Sequence, residues 1–376
     1  MTAGGAAPRV ALVHDWLTGM RGGEKVLEVL CGLYPTAALF TLVHLPGQVS
    51  AAIEQLSPRS SILSGLPGID RLYRHMLPLF PGVVEQFDLD DYDLVISTSH
   101  CAAKSAVRTG RARHLCYCFT PMRYVWDQRH AYFGVDRLGL AGRCLFPVLA
   151  WLARWDAATA HRVDRYLADS QHVARRIQRY YNRGSAVVYP PVDTDFYRPD
   201  ATVPTPTALV VSALVPYKRI DVAIAACRQA GVPLRIVGTG PEEARLRAIA
   251  DGRVEFLGHC SDEEIRAHYR AAGVVLLPGE EDFGIVPVEA QACGRPVVAL
   301  GRGGALETVL EDVTGVLVAS ESPEALASGI RRALDFPFDP AVIRRHAEHY
   351  GRARFESEFT MAIDELMSAP AGEAAW

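Results

Sequence analysis

Gly273-Val-Val-Leu-Leu-Pro-Gly-Glu-Glu-Asp-Phe-Gly-Ile-Val-Pro-Val-Glu289 is the stretch that decides the fold of this chain. Its first six residues form a short apolar run bounded by Gly and Pro, the pattern of a buried strand. Pro287 fits only the first turn of a helix, where its missing N–H costs nothing. Glu281 therefore falls in a strand-to-helix loop, and Glu289 about one turn inside the helix. The amides of Phe283, Gly284 and Ile285 lie at the helix start. Donors there lack intrahelical acceptors and face the crevice beyond the strand ends. Gly284 has no side chain to keep a ligand off that backbone. Carboxylates accept hydrogen bonds and sugar hydroxyls donate them, so the unit suits a polyhydroxylated ligand. The competing reading is acidic capping of the helix by Glu280, Glu281 and Asp282, with Glu289 solvated.

Outward from this stretch, the second half alternates strands and helices, the pattern of a doubly wound parallel sheet. Strands are predicted at 208–214, 233–239, 253–258, 273–278, 296–300 and 315–318. Helices are predicted at 219–230, 242–250, 261–272, 285–293, 304–311 and 323–335. Ser261-Asp-Glu-Glu264 is a capping box for one of them. In the first half, 9–14 and 93–98 read as strands and 23–33 as a helix. Residues 40–87 are rich in Pro and Gly and less regular. Tyr189-Pro190-Pro191 reads as a stiff connector between two domains.

At 376 residues the chain is too long for one ordinary core. The eight cysteines include no CxxC pair, so reduced thiols are expected rather than disulfides or zinc. Val10-Ala-Leu-Val13 ends at His14-Asp15, too short for the apolar core of a secretory leader. These features predict a cytoplasmic protein. Net charge is −4, but residues 101–183 hold 15 basic and 5 acidic side chains. That excess of ten predicts an anionic partner for the first half. No nucleic-acid-binding motif accompanies it, so a lipid surface or pyrophosphate-linked acceptor is expected instead of nucleic acid. Leu138–Trp155 contains a ten-residue apolar run, Cys144–Ala153, against the roughly 20 needed to span a bilayer. It reads either as a core helix or as a basic amphipathic helix peripheral on the inner face of the plasma membrane.

Lys218 and Arg219 stand at the predicted start of helix 219–230, where the helix dipole disfavours cations. Two together imply an anion between them and the helix end, and a diphosphate suits both a point charge and a bidentate fork. Gly22-Gly23 opens helix 23–33 after the first strand, so its amides can reach a phosphate. Gly19-x-x-Gly22-Gly23 lacks the spacing of a dinucleotide fingerprint, and Gly238-x-Gly240 lacks the third glycine. His100 follows strand 93–98. Cys118-Phe-Thr-Pro-Met-Arg-Tyr-Val-Trp-Asp127 is unusually aromatic and polar for a loop. Arg123, Tyr124, Trp126 and Asp127 in it suit a sugar acceptor. Asp88-x-Asp90 reads as solvated acids, so no metal ligands are assigned.

Glu281-x7-Glu289 resembles the paired-glutamate signature of retaining family-4 glycosyltransferases. The other landmarks run in the family's order: Gly22-Gly23-Glu24, Asp169-Ser170, Pro190-Pro191-Val192-Asp193, Val211 to Asp221, Gly238-Thr-Gly240-Pro241, Phe256-Leu-Gly258 and Gly303 to Glu307. The resemblance spans roughly residues 9–345. It implies an α/β chain of the GT-B fold, two facing Rossmann-like domains with the nucleotide-sugar site in the cleft between them. Residues 1–190 would form the acceptor-side domain and 191–345 the donor-binding domain. Residues 346–376 would form a helix crossing back to the first domain, followed by a disordered tail. By the same resemblance Lys218 binds the donor pyrophosphate, and Gly22, Gly23, Arg219, Gly238 and His259 line the donor site. Glu281 and the Phe283–Ile285 amides contact the donor sugar, Glu289 holds the ribose, and His100 lies near the reacting carbon. The family often has an arginine where this chain has Ala213. Arg219 or a first-domain arginine would then have to compensate. The reaction implied is front-face attack with the leaving phosphate accepting the proton. It needs a nucleotide-diphosphate sugar as co-substrate and no metal or other cofactor. The loop 118–127 is reminiscent of mannosyltransferases of surface-polysaccharide pathways, which points to GDP-mannose and a lipid-linked or glycan acceptor. The alternatives are a non-catalytic sugar-nucleotide-binding partner and a GT-B-like sugar-nucleotide epimerase.

Overall fold

The computed structural model of the protein describes residues 8–108, 110, 112–127 and 135–370, with the backbone alone for 135–144. It divides into two compact units, 1–189 with 356–376, and 190–355.

The first unit is built on a seven-stranded sheet. Its strands are β1 (Val10–Leu17), β2 (Ala38–His44), β3 (Arg59–Ser60), β4 (Leu94–Ser99), β5 (Arg113–Cys118), β6 (Arg165–Ala168) and β7 (Ala186–Val187), in the order β3-β2-β1-β4-β5-β6-β7. Every pairing is parallel. Parallel strands are covered on both faces, so the whole of β1 and β4 is buried. β1 runs past the predicted end at His14 through Asp15, Trp16 and Leu17, and buried Asp15 is tolerated there because backbone N–H groups satisfy it. Helix α1 (Gly22–Leu33) follows β1, α2 (Val135–Ala158) lies between β5 and β6, and α3 (Gln171–Tyr181) follows β6. Ser170 caps α3 by accepting the Val173 N–H, and Asn182 closes it in the left-handed conformation that asparagine tolerates.

The second unit carries a six-stranded parallel sheet: β8 (Ala208–Val211), β9 (Leu234–Val237), β10 (Val254–Gly258), β11 (Val274–Leu277), β12 (Val297–Leu300) and β13 (Gly315–Val318). The order is β10-β9-β8-β11-β12-β13. The connecting helices are α4 (Ile220–Ala230), α5 (Glu243–Ile249), α6 (Asp262–Ala271), α7 (Ile285–Ala292), α8 (Ala305–Thr308) and α9 (Pro323–Asp335). Ser261 and Glu264 close the capping box on α6. The helix predicted over 304–311 is one turn, because Val309 turns extended and Thr314 takes the Leu310 N–H. Two helices end the chain, α10 (Pro340–Glu348) and α11 (Arg352–Ser368). α11 runs across the division at Glu356. In the first unit Phe359 is fully buried against Tyr117, and Arg165 donates to the Ala362 carbonyl. Residues 371–376, the expected tail, lie outside the described residues.

Candidate functional site

Each sheet reverses its direction of growth once. In open α/β sheets that point leaves a crevice at the carboxyl ends of the two strands concerned. In the second unit the strands are β8 and β11, which pair directly. The loop after β8 carries Lys218 and Arg219, and the loop after β11 carries Gly279 to Gly284. A Cβ on Gly279 would lie 2.3 Å from the Tyr217 carbonyl oxygen, so the two loops touch backbone to backbone. Lys218 Nζ pairs there with Glu281 Oε1. Residues 63 apart in sequence are thereby joined at the switch point.

Lys218 closes a short 3-10 turn (Pro216–Lys218) before α4, rather than starting the helix itself. Arg219 caps α4 in the left-handed region at φ 51°. Its guanidinium pairs with Asp221 and Glu321, so the arginine expected to offset Ala213 is already engaged by two carboxylates. Gly238 (φ 126°) and Gly240 follow β9. Added Cβ atoms would meet the Ser212 and Leu214 carbonyl oxygens at 1.9 and 2.4 Å, so both glycines serve close packing against the β8 loop. His259 follows β10, the edge strand, and is exposed.

Gly284 caps α7 at φ 88°, a backbone conformation that glycine adopts without strain. Pro287 sits in the first turn, leaving the Ile285 and Val286 amides as helix-start donors. Phe283 is buried, 5.6 Å from the Tyr350 ring. Glu289 is 5% exposed, and its Oε2 accepts a 2.9 Å hydrogen bond from the Tyr269 hydroxyl. Burial, reinforced by Glu289, pushes the Tyr269 hydroxyl well above its ordinary pKa, so Tyr269 acts as a donor. Glu289 is thus not solvated, and the simple capping reading does not describe it.

In the first unit the switch point lies between β1 and β4, which also pair directly. Asp15, fully buried two residues before the end of β1, accepts four consecutive backbone N–H groups from the loop after β4. His100 and Cys101 donate to Oδ2 at 2.7 and 2.9 Å, and Ala102 and Ala103 to Oδ1 at 2.6 and 2.8 Å. His100 Nδ1 lies 3.2 Å from Oδ2. The His100 ring stands edge-on to Trp16 at 4.4 Å. Burial moves its pKa below the ordinary value, and the attraction of Asp15 opposes this without overcoming it. Gly22 and Gly23 open α1 beside this cradle. A Cβ on Gly23 would sit 3.4 Å from the Phe119 ring and 3.6 Å from His14. His14 in turn bonds Thr98 at 2.7 Å. Nothing in the sequence alone marks Asp15, whose partners lie 85 to 88 residues away.

The aromatic loop is more structural than its composition implies. Trp126 donates to Asp156 Oδ2 at 2.8 Å and stacks on Tyr180 at 4.6 Å. Asp127 pairs with Arg176 and with the Tyr180 hydroxyl. Arg123 is partly buried, and its charge helps to depress the His100 pKa. Tyr124 acts on Arg21, at the cap of α1. Asp90 donates its N–H to Asp88, which makes that pair a local turn. Leu149 and Leu152 of α2 are buried while Leu145 and Trp151 are exposed, so the apolar segment presents both a core face and a surface face. The side chains of Leu138–Cys144 lie outside the described residues. No described helix is long and apolar enough to cross a membrane.

Two Rossmann-like parallel sheets with these switch points define the GT-B class. Anabaena Alr3699/HepE in complex with UDP aligns over 95% of this chain and 100% of its own, with a TM-score of 0.71 at 18% identity. Sucrose-phosphate synthase from Thermosynechococcus elongatus aligns over 97% and 100%, with a TM-score of 0.68 at 20% identity. The family model for glycosyltransferase family 4 matches residues 48–196, and that for glycosyl transferases group 1 matches 193–353. The chain belongs to the family-4 glycosyltransferases of the GT-B fold. It is 35% identical over 233 residues to D-inositol 3-phosphate glycosyltransferase of Mycolicibacterium smegmatis, covering 55% of this chain and 52% of the relative. It is 32% identical over 196 residues to the GDP-mannose-dependent alpha-(1-6)-phosphatidylinositol monomannoside mannosyltransferase of Mycobacterium tuberculosis, covering 44% and 51%. The chain spans about half the length of the curated relatives it matches.

Proposed function

We propose that the chain is a retaining, metal-independent glycosyltransferase that moves a hexose from a nucleotide-diphosphate sugar to a lipid-linked or polysaccharide acceptor. The observation that carries this reading is the Lys218–Glu281 pair at the β8/β11 switch point, beside the helix-start amides of α7. Lys218 offsets charge on the departing diphosphate, and Glu281 with the 283–285 backbone orients the sugar hydroxyls. The bond from the anomeric carbon to the diphosphate oxygen breaks, the acceptor oxygen bonds to the same face, and the acceptor proton passes to the leaving phosphate. Glu289, braced by Tyr269, holds the ribose. His100, a residue of the first unit, is the histidine assigned to the reacting sugar by the family resemblance. Arg123 and Tyr124 are the acceptor contacts, with Trp126 and Asp127 fixing their loop.

Mannose from GDP-mannose is the donor we favour, supported by the mannosyltransferase relative. The basic excess in residues 101–183, with exposed Leu145 and Trp151, supports work at the inner, cytoplasmic face of an anionic membrane. The test is a thermal-shift screen of GDP- and UDP-sugars, followed by nucleotide release with and without glycolipid acceptors. GDP-mannose should stabilise most, and release should depend on acceptor. Acceptor-independent turnover would favour the epimerase reading, and binding without turnover the non-catalytic one.

A further inference from the structure

We propose that Asp15 is the positioning residue for His100: it fixes the backbone of the 100–103 loop and holds the ring in its Nδ1–H tautomer, so that Nε2 is presented as an acceptor. This rests on the reading above, in which His100 is assigned to the transferred sugar. Both oxygens of Asp15 are satisfied by four successive N–H groups at 2.6 to 2.9 Å, an arrangement that locks the loop to the end of β1. The carboxylate is an acceptor only, and His100 Nδ1 is 3.2 Å from its Oδ2, a proximity that favours a proton on that nitrogen over a lone pair facing the charge. The edge-on contact with Trp16 fixes the ring plane. Depression of the His100 pKa by burial keeps the imidazole neutral near pH 7, which leaves the Nε2 lone pair free to accept from a hydroxyl. The far side of the loop is anchored separately. Lys104 is 1% exposed, and its Nζ lies 3.1 Å from Asp156 Oδ1 and 2.7 Å from the Asp156 carbonyl oxygen. Removing Asp15 therefore leaves one anchor in place and changes what reaches His100.

Two measurements decide this. In wild type labelled with 13C/15N-histidine, with His100 assigned by His100→Gln, the ring shifts should report the Nδ1–H tautomer at pH 7.5. An Nε2–H tautomer or a charged ring overturns the proposal whether or not the enzyme transfers sugar, so this arm is independent of the functional reading. The second is a cycle of Asp15→Asn and His100→Gln on acceptor-dependent turnover, with nucleotide binding as the check on folding. Asp15→Asn turns an amide NH2 toward N–H donors. We expect kcat to fall at least tenfold in Asp15→Asn with nucleotide affinity unchanged, and little further loss in the double variant. A fully multiplicative loss means that Asp15 acts through something other than His100, and the proposal fails. If Asp15→Asn does not fold, the tautomer alone decides.

Discussion

Lys218 and Glu281 make the most discriminating prediction, because the structure pairs Lys218 with Glu281 while the proposed function gives it a diphosphate. Lys218 holds Glu281 here, and under the proposal a bound diphosphate would compete with that carboxylate. Their side chains are 19% and 12% exposed, so the pair is neither a surface pair nor a fully buried one. Loss of a charge-assisted contact costs about 1.5–3 kcal/mol, so Lys218→Ala should weaken nucleoside-diphosphate binding by roughly ten- to a hundredfold. Glu281→Gln should have the opposite sign. It removes a competing carboxylate worth about 1 kcal/mol at most, so the free nucleoside diphosphate should bind up to about fivefold tighter. Turnover should nonetheless fall, because the carboxylate that orients the sugar is gone. In the double variant no lysine remains to be released, and the gain from Glu281→Gln should vanish. Isothermal titration of the four proteins with GDP and UDP, alongside initial rates, measures every corner of the cycle. Weaker nucleotide binding by Glu281→Gln, or a gain that persists without Lys218, would refute the competition.

Three further outcomes follow from particular contacts. Gly238→Ala should lower the melting temperature by several degrees and impair donor binding, since its Cβ would meet the Ser212 carbonyl oxygen at 1.9 Å with φ at 126°; an unchanged melting curve contradicts this packing. His114 is buried between Ser97 and the Arg162 carbonyl, and burial lowers its pKa to about 3. The unfolded chain, with an ordinary histidine pKa near 6.5, binds the proton first as pH falls, so His114 costs stability progressively from about pH 6.5 down to 3. The loss at pH 5 should be about 2 kcal/mol, and urea midpoints at pH 7 and 5 should differ less in His114→Gln than in wild type. Finally, the protein should co-sediment with anionic vesicles at low salt and release as salt rises, with Trp151→Ala and Arg154→Glu each reducing the bound fraction. Indifference to anionic vesicles at low salt would assign the basic face to the acceptor alone.

Local chemistry made much of the second unit legible in the sequence. The apolar run 273–278 between Gly and Pro marked a strand, Ser261 marked a helix start, and Pro287 fixed where α7 begins. These are effects of neighbouring residues on one another, and they survive without tertiary context. β2, β5 and β6 were not marked, because their buried tyrosines, histidines and threonines break the apolar signal. The sequence also determined which residue types could meet a phosphorylated sugar, but not what each one touches. Only the tertiary structure joined Lys218 to Glu281, engaged Arg219 with Glu321, and gave Glu289 to Tyr269. Asp15 is the clearest case, since read alone it merely ends an apolar run. Its role depends on β1 lying beside β4, which brings four amides from 85 to 88 residues away to a single carboxylate. Strand pairing at long separation carries no local signature, so the sequence could supply the groups while the fold alone decided their partners.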